Sequence, residues 1–105
     1  LKSKVSGDVK VFQNCPELEE IGLWHTDVTG DISTFKYTSK LRKLSLMKTY
    51  VHGDVGTFKE LLQLRMLAIQ SSNEIVGDIS AFEQHENLEK LGIFRCNIEG
   101  NIKIF

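Results

Sequence analysis

At 105 residues, with 41% of them hydrophobic and a formal net charge of −1, the chain has the size and make-up of one ordinary globular domain. Neither sign of charge is in excess, which removes the bulk-charge argument for a nucleic-acid or membrane-surface partner. No stretch of about 18 apolar residues exists, so no segment reads as a bilayer span.

The chain opens on Leu1 rather than Met and shows no signal-peptide pattern, which reads as a piece of a longer protein. Its first organised stretch is Val5-Ser6-Gly7-Asp8-Val9 with Phe12 three residues on. A different phrase follows, Leu18-x-x-Ile21-x-Leu23-x-x-Thr26, and then the first returns as Val28-Thr29-Gly30-Asp31-Ile32 with Phe35. The pair recurs as Leu41, Leu44, Leu46 and Thr49, then Val51-His52-Gly53-Asp54-Val55 with Phe58. It recurs again as Leu64, Leu67, Ile69 and Ser72, then Val76-Gly77-Asp78-Ile79 with Phe82. A last round runs Leu88, Leu91, Ile93 and Cys96, then Ile98-Glu99-Gly100-Asn101-Ile102 to Phe105. Successive glycines stand 23, 23, 24 and 23 residues apart, and so do the phenylalanines. Self-similarity at such a period marks a solenoid. The third round carries one extra residue near Ser71 to Ile75, expected to bulge the turn there.

The Leu-x-x-Leu-x-Leu-x-x-Thr phrase resembles the signature of the leucine-rich repeat family, which ends in Asn, Cys or Thr. The Gly-x-Ile phrase is similar to the plant-type subclass, in which Pro often follows the Ile; Ser33, Gly56, Ser80 and Lys103 stand there instead. The Gly-Asp-Ile form resembles repeats of algal and other protist proteins. This resemblance implies an α/β solenoid. It would be a right-handed superhelix, with a parallel β-sheet on the concave side and short helical or 3-10 turns on the convex side. Residues 1–105 then make one domain of about four full coils plus a truncated first coil, since aligning Gly7 with Gly30 sets Leu1 opposite Trp24 and Ser3 opposite Thr26. Neither end reads as a polar cap, so further repeats or neighbouring subunits are expected to cover them.

The alternating centres of the leucine phrases predict Ile21, Leu23, Leu44, Leu46, Leu67, Ile69, Leu91 and Ile93 as inward-facing strand residues. One coil buries about six large apolar side chains at roughly 1.5–3 kcal/mol each. Ordering its residues costs about 1.5 kcal/mol apiece, so no coil folds without its neighbours. Phe12, Phe35, Phe58, Phe82 and Phe105 are expected to stack as a spine on the convex side. With strands about 4.8 Å apart, Cys15 and Cys96 fall more than three coils apart, beyond the reach of a disulfide. No Asn-x-Ser/Thr sequon occurs, and both features lean toward a reducing compartment.

Several columns bear on chemistry. Asp8, Asp31, Asp54 and Asp78 repeat along one line, as either a row of cation ligands or a row of helix caps. Asn101 in the fifth place keeps the acceptor and loses the charge, which favours caps. Ser3, Thr26, Thr49, Ser72 and Cys96 form a column expected to hydrogen-bond from coil to coil. Cys96 reads there as a small buried thiol, and Cys15, in a column with Thr38, Leu61 and His85, as half-buried. His25, His52 and His85 occupy different places in their repeats, so no metal site is assembled. No catalytic set, phosphate loop or cofactor motif is found, and the chain reads as no enzyme, with no cofactor and no metal.

The outward strand positions remain. Glu20, Lys43, Met66 and Lys90 form one column, and Gly22, Ser45, Ala68 and Gly92 a second of small residues. Trp24, Met47, Gln70 and Phe94 form a third, with His25, Lys48, Ser71 and Arg95 beyond it. A small-residue trough beside aromatic and Met side chains points to a protein-binding face. Glu17, Glu19 and Glu20 make the start acidic. Arg42, Lys43, Lys48, Arg65, Lys90 and Arg95 make later strands basic, diluted by Glu60, Glu83, Glu86 and Glu89. The expected function is a non-catalytic protein–protein interaction module binding through its concave sheet, with no nucleic-acid partner. The alternatives are a structural scaffold or peripheral subunit of a large assembly, and the recognition segment of a larger receptor or enzyme.

Overall fold

In the computed structural model the described residues are 6–24, 27–70, 74–94 and 96–99. The chain runs β1 (Ser6–Asp8), η1 (Val9–Asn14), β2 (Glu20–Trp24), β3 (Asp27–Asp31), η2 (Ile32–Tyr37), β4 (Lys43–Met47) and β5 (Tyr50–Asp54). It continues η3 (Val55–Glu60), β6 (Met66–Gln70), β7 (Ile75–Asp78), η4 (Ile79–Phe82), β8 (Lys90–Phe94) and β9 (Asn97–Glu99), where η is a 3-10 helix. The same strand–strand–helix unit recurs, and equivalent strands pair in parallel into two sheets, β2-β4-β6-β8 and β1-β3-β5-β7-β9. This is the expected α/β solenoid.

The first sheet comes from the leucine phrases. Leu44, Leu46, Leu67 and Ile69 are fully buried and Ile21 nearly so. Leu23, Leu91 and Ile93, on the outer strands, are half-buried against that core. The second sheet was not foreseen. The Gly-Asp phrases read as turns, yet Gly7, Gly30, Gly53 and Gly77 each lie within a strand immediately before its closing aspartate. Val28 and Val51 of these strands face the core with Ile75.

Each aspartate then starts a 3-10 helix. Asp31, in extended backbone, accepts the Ser33 backbone N–H at 2.8 Å, and Asp8, Asp54 and Asp78 accept from Lys10, Gly56 and Ser80 at 2.8, 2.7 and 2.8 Å. The three longer 3-10 helices close alike: the N–H groups of Cys15, Thr38 and Leu61 donate at 3.0 Å to the carbonyls of Phe12, Phe35 and Phe58. Those rings stack as expected, with centroids 6.0 Å apart for Phe12–Phe35 and 6.4 Å for both Phe35–Phe58 and Phe58–Phe82. Phe105 lies outside the described residues, as does 71–73, the larger part of the Ser71 to Ile75 stretch where the extra residue is expected.

Backbone hydrogen bonds also tie coil to coil. The Arg42 and Lys43 N–H groups both donate to the Glu19 carbonyl, those of Arg65 and Met66 to Arg42, and those of Glu89 and Lys90 to Arg65. In the hydroxyl column, Thr49 bonds within its own coil. Its hydroxyl donates at 3.5 Å to the Leu46 carbonyl; Ser3, Thr26 and Ser72 lie outside the described residues. Among the described residues no helix is long and apolar enough to cross a membrane.

Candidate interaction surface

Strand pairing brings the outward columns into straight rows. Gly22 pairs with Ser45, Ser45 with Ala68 and Ala68 with Gly92, so the smallest side chains cross all four strands in register. On one flank Glu20, Lys43, Met66 and Lys90 are aligned strand by strand. On the other Trp24 pairs with Met47 and Gln70 with Phe94. The sheet's inner face is packed, so this outer face is the one it leaves open. Ser45, Met47, Met66, Ala68 and Gln70 are half-buried there, and Glu20, Lys43 and Lys90 are exposed. The side chains of Trp24 and Phe94 lie outside the described residues, and their backbones fix only their places in the row. Beyond that row, Lys48 turns the chain in left-handed backbone with φ 58°; His25, Ser71 and Arg95 of its column are outside the described residues.

The uneven charge of the sequence resolves into pairs between coils. Arg42 reaches Glu19 at 3.5 Å and Glu20 at 3.4 Å, Lys40 bridges to Glu17, and Arg65 meets Glu89 at 2.8 Å. The acidic start thus offsets the basic middle. Beside these pairs lies a hollow of about 260 Å³ lined by Lys43, Arg65, Met66, Glu89 and Lys90. A second, of about 510 Å³, is lined by Arg42, Gln63, Arg65, Glu86, Asn87, Leu88 and Glu89. Sequence reasoning missed both hollows. Their signal was the column Glu19, Arg42, Arg65, Glu89, one step before each strand, where two arginines stand between two glutamates at the repeat period.

The other chemical columns are structural. Asp8, Asp31, Asp54 and Asp78 each cap a helix, and no group of three or more His, Cys, Asp or Glu that could hold a metal occurs among the described residues. His85, expected on the convex side, is buried; its Nε2 donates to the Phe58 carbonyl at 2.8 Å, which fixes the proton on that nitrogen. Cys15 is exposed rather than half-buried, because it sits just past the end of η1. Cys96 is half-buried rather than buried, at the outermost strand, and is not bonded to Cys15. The backbone and hydroxyl of Ser80 hold the Asp78 carboxyl below its ordinary range.

No known protein family's sequence profile matches the chain, and no curated protein matches it in sequence. Solved structures do. Internalin C2 of Listeria monocytogenes superposes with a TM-score of 0.73 at 20% identity, over 92% of this chain and 41% of that one. The LRR ectodomain of the receptor kinase SOBIR1 of Arabidopsis thaliana gives 0.69 at 20% identity, over 90% and 66%. A plant peptide hormone receptor, RGFR1, solved in complex with RGF2, gives 0.76 at 20% identity, over 96% and 21%. The chain thus spans between about a fifth and two thirds of the length of these structures.

Proposed function

Because the chain folds as a leucine-rich repeat solenoid, we propose that it is a non-catalytic module that binds a protein partner through the open face of its four-stranded sheet. One observation carries this reading: the small-residue row Gly22–Ser45–Ala68–Gly92 crosses every strand of that sheet between two rows of larger side chains. A groove of small residues lets a partner approach the sheet closely, while Met and aromatic flanks supply the desolvated contacts that dominate interfaces. The RGFR1 structure, a receptor in complex with RGF2, supports the general class.

The test is affinity capture of a partner from the native source, followed by binding measurements on variants. Ala68→Arg fills the groove and should abolish binding, and Trp24→Ala or Phe94→Ala should each weaken it by more than about 1 kcal/mol. Tyr50→Arg, on the second sheet, should leave affinity unchanged. Unchanged affinity in Ala68→Arg would remove the open face from the interface.

A further inference from the structure

The two sheets carry opposite charge. Strands β1, β3, β5, β7 and β9 hold Asp8, Asp27, Asp31, Asp54, Asp78 and Glu99 with no Lys or Arg. Strands β2, β4, β6 and β8 hold Glu20, Lys43 and Lys90. On that second set the acidic side is already occupied, since Glu20 is paired with Arg42, and Glu89 beside the strands with Arg65. Lys43 and Lys90 are exposed and have no ion-pair partner among the described residues. They flank Met66 in register and line the same hollow of about 260 Å³.

From this we propose that the open face takes an extended acidic peptide segment of its protein partner, two carboxylates held by Lys43 and Lys90 with an apolar side chain between them over Met66. The proposal rests on the reading that this face binds protein. The geometry suits an extended chain. Lys43 and Lys90 are rooted two strands apart, about 10 Å. An extended peptide advances about 3.3 Å per residue with alternate side chains on one side, so two same-side carboxylates flanking one apolar side chain stand about 13 Å apart. Lysine ammoniums on flexible four-carbon stems span that difference. The carboxylates of the second sheet repel the same peptide, which confines it to the lysine-bearing face.

Three fluorescein-labelled peptides of equal length test this by anisotropy: repeats of Glu-Ser-Leu-Ser, Gln-Ser-Leu-Ser and Lys-Ser-Leu-Ser. The acidic peptide should bind roughly fivefold or more tighter than the Gln peptide, as two exposed ion pairs allow. Added salt should shrink that margin. The double variant Lys43→Glu/Lys90→Glu should reverse the order, preferring the basic peptide; a gained preference cannot arise from misfolding. Equal binding of the acidic and Gln peptides, no binding of the acidic one, or an order unchanged by the double variant would each overturn the inference. So would single-stranded oligouridylate that outcompetes the acidic peptide and is lost in the double variant, which would assign the lysines to a phosphate backbone. The reading of the face itself is judged separately, on the captured partner and Ala68→Arg. Loss of that partner in Ala68→Arg together with equal acidic and Gln binding would leave the face standing and remove only its preference for acid.

Discussion

Gly53 has φ +128°, and a β-carbon there would lie 2.6 Å from Asp31 Oδ1 and 2.9 Å from Ile32 Cγ1 of the preceding coil. Gly77 repeats this against Asp54 and Val55. The glycine and the aspartate of the recurring phrase are therefore partners across coils: one coil's cap occupies the space that the next coil's missing side chain leaves. Gly53→Ala should cost about 3 kcal/mol, from backbone strain and the clash together, read as a shift in urea midpoint. Asp31→Ala alone should cost about 1 kcal/mol through the lost cap. Because both remove or relieve one contact, the double variant should fall short of the sum by at least about 1 kcal/mol. Additive losses would show that the carboxylate is not what bars a side chain at Gly53. At Asp78 the same cap acts on pH dependence. Its folded carboxyl lies below the ordinary 3.8, held there by the backbone N–H and then the hydroxyl of Ser80. The ionised form therefore favours the folded state. That stability is fully present above the unfolded value and is lost as pH falls through the lower folded one. The stability difference between the wild type and Asp78→Asn should be flat above about pH 5 and decline below about pH 4.

Phe58 is fully buried between the rings of Phe35 and Phe82, whereas Phe12 is half-buried with one described ring neighbour, Phe35. Phe58→Ala should cost about 3–5 kcal/mol, and Phe12→Ala clearly less, in equilibrium unfolding. Equal losses would mean that the rings do not act as a stacked spine. The spine was legible in the sequence because five phenylalanines keep the glycine period. The four-stranded sheet was legible too, from the alternation around Leu44 and Leu46. The second sheet was not, since its strands end in Gly and Asp, residues depleted in strands. Its one sequence signal was the alternation of Asp27–Asp31, where Val28 and Gly30 are buried between exposed neighbours. His85 was equally opaque. It stands where other coils have Thr38 or Leu61, and only the stacking of coils brings the Phe58 carbonyl within reach of its ring.

For the molecule as a whole, the repeat decides which charges meet. Glu19 and Arg42 stand one coil apart in sequence yet adjacent in space, and the same holds for Arg65 and Glu89. Counting charges along the chain therefore suggests an acidic start and a basic middle, while the folded surface has paired rims, an acidic sheet and a sheet with two lysines that have no ion-pair partner among the described residues. The rows of the candidate surface could be drawn from the repeat register alone. The hollow between Lys43 and Lys90 could not, because it depends on which neighbouring carboxylates are already engaged. One further property follows from the direction of the backbone ladder. The strand-to-strand bonds of both sheets join one coil to the next, so they all lie along the axis of the stack. A pull on the two ends of the stack loads the rungs in series, and the outermost coil carries the full force. Under tension such a molecule behaves as a soft spring that pays out coil by coil, each release adding roughly 80 Å of contour length for its 23 residues. A pull along the strands would instead load all the rungs at once and meet far higher resistance.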